Sequence, residues 1–387
     1  MVGGSARKPW FGALLDPRNN SLNLIRLILA FAVLVHHSWP LTGASGELGF
    51  AGDTLGGWAV AGFFGISGYL ITSSRWSNSL GPYLVHRIAR IMPAFWVCLL
   101  MMSLVFAPIG YVVAKGNLAG FFTAAHSPLN FLISNSTLEM RFYDIAGTPL
   151  DVPYAGAWNG SLWSLYYEFL CYLIIAGLGI FAIVRHSRWP LTLVFILSVL
   201  AQANIEKISR LTNDNFDVVL MLKLLPFFLA GAVLFMWKDK IGFHWIPGLL
   251  ALLAAFVISS FVPGWGVQAS AILVTYGVIS LSTVLWQPQF IAKNDISYGV
   301  YIYAFAVQQL LAVFGANAWG LLWFSLAAAV LTVPLAVASW MFIERPIMRR
   351  VRRRKGTGAV LRDEKEAGAE AKDAVNAGNL AKVQDAR

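Results

Sequence analysis

Long apolar stretches alternate along the chain with short polar breaks, at the spacing expected of membrane helices. A bilayer crossing takes roughly 20 mainly apolar residues, about 17–25 in practice. Ten stretches meet that description: 23–42, 57–74, 91–113, 161–184, 190–204, 217–237, 245–262, 267–286, 296–314 and 319–343. The fifth is short, and its Pro190 start and the polar QANIEK after it predict a tilted or partly re-entrant segment. The expected fold is therefore all-α, a bundle of about ten transmembrane helices with both termini on one side. The longest connection, about 114–160, is rich in Gly, Pro and aromatics and predicts a structured lid with an interfacial helix.

Composition supports that pattern. The 387 residues are 58% hydrophobic and 12% charged, where a soluble domain carries about 25% charged residues. The 15 Trp and 12 Tyr suit repeated membrane–water interfaces. A net charge of +10 would suggest nucleic acid in a soluble protein. Here it follows from basic loops: with the N-terminus inside, the inner segments up to residue 355 hold eighteen Lys and Arg against four outside. That bias predicts two cytoplasmic termini in the cytoplasmic (inner or plasma) membrane. Residues 1–22 then form a cytoplasmic segment, 23–345 the transmembrane domain, and 346–387 a basic, then low-complexity cytoplasmic tail that lacks the apolar residues for a core. The first 22 residues are polar and the run after them lacks a small-residue cleavage site, so the first span is expected to be retained. Cys98 and Cys171 fall in apolar runs and are expected as buried small residues.

The residues that break the apolar pattern carry the chemistry. Arg26 and His37 are eleven residues apart, about three helical turns, so they share one face roughly 16 Å apart along the axis. His36 lies about 100° around the helix from that face. Arg26 thus sits toward the cytoplasm and His37 toward the outside. Snorkelling to lipid phosphate explains Arg26 as well as a site does, but intramembrane ionisable groups are functional candidates by default. Glu168, in NGSLWSLYYEFLCYL, is the only acidic residue within a span apart from span ends. Its position about two turns below the outer surface predicts the depth of His37, a hydrogen bond to one ring nitrogen and a raised imidazole basicity.

Arg87 and Arg90 lie three apart in HRIARIMPAFW, beside Arg75 at the end of the second span. They anchor the positive-inside topology or form a phosphate site, which guanidinium suits through bidentate hydrogen bonds. Lys223 is a further buried charge on the outer half; neutralising Glu168, orienting an acceptor and snorkelling are its three open roles. The ninth span offers Tyr298, Tyr301, Tyr303, Gln308 and Gln309 as an aromatic cavity wall or as packing. The small residues Gly62, Gly65, Ser67 and Gly68 suit close helix approach. No His or Cys pair has metal-ligand spacing, so no metal is expected. Neither a G-x-x-x-x-G-K-[ST] loop nor a G-x-S-x-G elbow occurs.

These motifs, in order, resemble the bacterial acyltransferase-3 family of integral membrane acyltransferases. The likeness rests on Arg26, ten intervening residues and His37, continued by SWPLTG; on GFFGISGYLIT with Arg75; and on the R-x-x-R-x-x-P element of HRIARIMPAFW. It continues with the W-[ST]-L-x-x-E signature at Trp163, Ser164, Leu165 and Glu168, then FFLAGAVLF, ISYGVYIYAFAVQQ and FIERPIMRR, and spans about 20–350. Many relatives carry His and Pro in the ninth-span motif, where this chain has Ala304 and Ala306, so no role for that His carries over.

The resemblance implies a ten-helix bundle without an appended hydrolase domain. It implies transfer of an acyl group, usually acetyl, from cytoplasmic acyl-coenzyme A to a hydroxyl of an outward-facing envelope glycan or glycolipid. Acyl-CoA enters as donor substrate; no permanent cofactor and no nucleic acid are expected. On this reading His37 is the catalytic base or a transient acyl carrier, and Glu168 orients it. Arg26, Arg75, Arg87 and Arg90 hold the donor. Trp163, Ser164, Lys223 and Tyr301 face the substrates. The alternative from the buried charges is a transporter or exporter of a glycan or lipid precursor.

Overall fold

A computed structural model describes residues 9–351 and Arg353. The expected tail, 346–387, lies outside those residues apart from its first turn and Arg353, as do the first eight residues of the N-terminal segment. The elements are α1 (Leu22–Thr42), α2 (Leu55–Trp76), α3 (Leu80–Lys115), α4 (Pro128–Asn135), α5 (Trp163–Leu178), α6 (Trp189–Ala203) and α7 (Ile205–Leu211). They continue as α8 (Phe216–Ile241), α9 (Trp245–Phe261), α10 (Ala271–Leu281), α11 (Ser297–Val313) and α12 (Leu321–Val351). A short antiparallel hairpin, Gly49–Phe50 with Asp53–Thr54, joins α1 to α2. π-helical turns interrupt α3 at Met102–Phe106 and α12 at Trp340–Glu344.

A helix stands at each of the ten expected positions, but lengths differ from the expectation. Five helices, α1, α2, α3, α8 and α12, are long and apolar enough to cross a membrane, or six if the bent pair α6–α7 is one span. The bend between α6 and α7 is 83°, at the segment expected to tilt or re-enter. α5, α9, α10 and α11 are shorter apolar helices. Leu193, Leu197 and Leu200 of α6, Leu250 and Leu253 of α9, and Trp323 and Val330 of α12 are exposed, an apolar surface that fits a multi-pass membrane protein.

α2 is the central post, and its small residues explain why. A Cβ on Gly68 would run into the Phe228 carbonyl of α8, and one on Gly231 of α8 would strike the Gly65 carbonyl. Gly62 admits Leu29 of α1 and Gly65 admits Thr275 of α10. Backbones in van der Waals contact replace the hydrophobic drive that lipid cannot supply. Cys98 and Cys171 are buried free thiols.

The segment between α3 and α5 is an ordered lid carrying α4. The Asn135 side chain donates to the Phe142 carbonyl and accepts from the Arg141 and Phe142 amides, tying α4 to the chain that follows. Trp158 is fully buried, donates from Nε1 to Thr148 Oγ1 at 3.1 Å and packs against the gap left by Gly110. Beyond it the chain dives inward: Asn159 Nδ2 donates to the Ile302 carbonyl of α11 at 2.7 Å, and Gly160 makes room for the Phe305 ring. Asn159 Oδ1 also accepts from Ser161, a side-chain turn that starts α5 well inside the bundle.

Candidate active site

The starts of α1 and α11, the first half of α3 and the end of α12 enclose a cavity of about 550 Å³. Arg26, Arg87, Arg90 and Lys293 line it, with Asp295 as its acid. Asp295 Oδ2 accepts from Arg26 and from Arg90 Nη2, the latter at 2.7 Å. Arg90 Nη1 binds Glu344 Oε2 at 2.6 Å, and the guanidinium lies 5.6 and 5.5 Å from the Tyr298 and Trp340 ring centres. Burial pushes the Asp295 carboxyl up, but the Arg26 and Arg90 guanidiniums outweigh it and hold the group below its ordinary range. Arg26 and Arg90 are thus held in place by carboxylates. Arg87 differs: it lines the cavity, and its Nε is buried with no hydrogen-bond partner among the described residues.

Arg75, expected to bind donor phosphate, is not among the cavity-lining residues. It is 3% exposed and donates to the Ala176, Gly179 and Asn78 carbonyls at 3.4, 2.8 and 3.0 Å. The last carbonyls of a helix have no partners within it, and a guanidinium satisfies several at once. Arg75 closes the end of α5. Gly179 leaves it room, since a Cβ there would meet Arg75 Nε at 3.0 Å.

Arg26 also lines a second, narrow cavity of about 30 Å³ with Phe63, Ser164, Glu168, Tyr298 and Tyr301. Glu168 Oε1 accepts from Ser67 at 2.6 Å and from Tyr172 at 2.7 Å. The Tyr301 hydroxyl donates to the Ser161 carbonyl at 2.7 Å and lies 2.5 Å from Ser164 Oγ. The expected His37–Glu168 hydrogen bond is absent among the described residues, and the start of α5 explains it. That helix begins inside the bundle and not at its surface, so Glu168, about 7.5 Å farther along, falls level with Arg26. Equal distances from two helix ends do not give equal depth when one end is already inside.

His37 opens instead into a third cavity of about 170 Å³ at the lid end, with His36, Ser161, Trp163, Lys223 and Tyr301. Its ring meets the Phe305 ring edge-on at 5.0 Å. The neighbouring His36 ring fills the notch at Gly56, where a Cβ would strike it. Lys223 Nζ pairs with Asp53 Oδ2 of the hairpin at 3.3 Å, and not with Glu168. Ala304 and Ala306 are both buried among apolar neighbours.

The three cavities lie in file. Arg26 is common to the first and second, and Val60 and Tyr301 to the second and third. Sequence reading missed Asp295 and Glu344, the two acids that organise the basic end. Asp295 directly precedes the ISYG motif and Glu344 sits within FIERP, both at span ends, but span-end acids are ordinarily solvated and only burial marks these two.

Comparison with known proteins agrees with the motif order. A family model described as an acyltransferase domain, the third acyltransferase family, matches residues 19–341. The O-acetyl transferase of Shigella phage Sf6 is 31% identical over 342 residues, covering 86% of this chain and 97% of that protein. Nodulation protein 10 of Rhizobium leguminosarum bv. viciae is 28% identical over 384 residues, 85% of this chain and 93% of that protein. The exopolysaccharide production protein ExoZ of Rhizobium meliloti (strain 1021) is 25% identical over 333 residues, 79% and 94% of the two chains. No solved structure matches. With the family model covering most of its length, this chain belongs to the acyltransferase-3 family and is an acyltransferase.

Proposed function

We propose that the protein moves an acetyl group from coenzyme A, bound at the basic end, to a hydroxyl of an envelope glycan or glycolipid at the lid end. Three adjacent cavities with shared walls, running from Arg87 to His37, carry this reading. The names of the phage O-acetyl transferase and of ExoZ support the acetyl group and the polysaccharide acceptor. The basic loops support a cytoplasmic Arg26 end and a bacterial plasma membrane, which would bring the site to the compartment where acyl-CoA is made. Asn23 and Val351, near the two ends of the described chain, line the same cavity, which supports two cytoplasmic termini. Membership of an acyltransferase family favours the enzyme over the exporter that the buried charges alone would allow.

In this mechanism Arg87 and Lys293 take the coenzyme A phosphates, and Arg26 and Arg90 add fixed positive field. The pantetheine arm enters the throat, where Ser164, Glu168 and Tyr301 offer hydrogen-bonding groups to its amides. The separation of about 16 Å between Arg26 and His37 along α1 suits that extended arm. His37 takes the proton of the acceptor hydroxyl as the oxygen attacks the thioester carbonyl. The new C–O bond forms, the C–S bond breaks, and the coenzyme A thiolate takes up the proton. Trp163 and Lys223 flank the acceptor. Glu168 acts at the throat and not on the imidazole.

The test uses the full chain in proteoliposomes with acetyl-CoA and a free-thiol reagent. Thiol release that disappears in His37→Ala and persists in His36→Ala is the expected result. Equal loss in both variants contradicts the role given to His37, and acceptor flux without thiol release contradicts acyl transfer.

A further inference from the structure

A fourth cavity, of about 700 Å³, opens at the lid end between the lid, α5 and the start of α8. It falls within the roughly 300–1,000 Å³ of small-ligand sites. Its wall toward the bundle is Trp163, a side chain that also lines the His37 pocket. The reacting centre and this cleft are thus neighbours across one indole.

The lining is aromatic with acidic points. Along α5, Trp163 and Tyr167 meet with ring centres 5.8 Å apart, and Tyr167 and Tyr166 with centres 5.4 Å apart. Tyr143 and Tyr154 face them from the lid. The Tyr154 ring touches Phe305, which in turn touches His37, and Gln309 Nε2 holds the Tyr154 carbonyl at 2.6 Å. The carboxylates are Asp217, which accepts from the Tyr167 hydroxyl at 2.6 Å, and Glu139, which accepts from the exposed Arg141. No Lys, Arg or His lines the cleft among the described residues.

We propose that this cleft holds the saccharide acceptor, and that the segment it holds is uncharged. The inference rests on the acyl-transfer reading above and adds a place and a chemical class to it. A sugar ring presents a face of C–H groups and a rim of hydroxyls. Rigid aromatic rings cover the face at low entropic cost, and carboxylates accept from the rim. The same carboxylates repel a uronic acid or phosphate group, because like charges brought together out of bulk water disfavour the complex. A membrane-interface aromatic belt would also place Trp and Tyr at this level. A belt, however, faces outward to lipid headgroups, whereas these rings line a cleft against half-buried Trp163 and buried Tyr167.

The experiment uses the full chain in lipid nanodiscs and polysaccharide released by mild acid from cells of the source strain, split by anion exchange into neutral and acidic fractions. Binding is read by saturation-transfer NMR, and coenzyme A binding to the same samples by calorimetry. The neutral fraction is expected to bind wild type, at least tenfold tighter than the acidic one. Tyr166→Ala and the double variant Glu139→Gln/Asp217→Asn are expected to weaken neutral binding at least tenfold while coenzyme A affinity is held. Equal binding of both fractions, no binding of the neutral one, or unchanged binding in both variants overturns the proposal. Lost thermal stability with unchanged saccharide binding does so too, and marks the rings as an interface belt. Failure of coenzyme A to bind wild type is a separate result, which strikes the acyl-transfer reading and not the saccharide cleft.

Discussion

The two ends of the cavity file are built on opposite electrostatic plans. At the basic end, Arg26 and Arg90 share Asp295, Arg90 also binds Glu344, and two aromatic rings flank its guanidinium. At the lid end, the His37 ring touches the His36 and Phe305 rings and makes no side-chain hydrogen bond among the described residues, and Lys223 pairs with Asp53. A pre-paired cluster holds its geometry whether or not an anion is present, which suits a highly charged donor. An imidazole without a protein partner leaves its nitrogens to the substrate. On the acyl-transfer reading proposed above, the paired cluster supplies a fixed positive field behind Arg87 and Lys293 at one end, and an imidazole with no side-chain hydrogen bond serves as the base at the other.

That contrast yields predictions of decreasing size. His37→Ala should cost about 10²–10⁴ in the rate of thiol release, with the melting temperature in detergent unchanged. Asp295→Ala should act on stability, because it strands Arg26 and leaves Arg90 with Glu344 alone at a mostly buried position; breaking such a cluster costs about 3–5 kcal/mol, read by chemical unfolding. Arg87→Gln should raise the KM for acetyl-CoA about 10–100-fold, the worth of charge-assisted hydrogen bonds of about 1.5–3 kcal/mol, with kcat little changed. Arg75→Gln should do the reverse. It should lower stability by about 1–3 kcal/mol through the carbonyls it abandons and leave the KM alone, and a raised KM would return Arg75 to the donor site. Glu168→Gln should have the smallest effect, a rate loss below about tenfold with the pH profile unmoved. A shifted profile would restore the His37–Glu168 pair, since interacting titrating groups report their coupling as displaced apparent pKa values.

Much of this was readable along the chain, and the exceptions have a common cause. The apolar runs located a helix at every expected position, and the eleven-residue interval set Arg26 and His37 on opposite ends of one α1 face, because helical periodicity is local. The glycines of α2 announced close packing for the same reason. Glu168 and Arg75 were misplaced because each position depended on a distant segment. The inward dive at Asn159 set the depth of α5, and the unpaired carbonyls at the end of α5 drew in the guanidinium of α2. Asp295 and Glu344 gained their meaning from Arg90, 205 and 254 residues away in the chain. Spacing along a helix specifies which residues share a face. Depth, burial and pairing depend on where neighbouring segments begin and end, and long-range contacts alone set that.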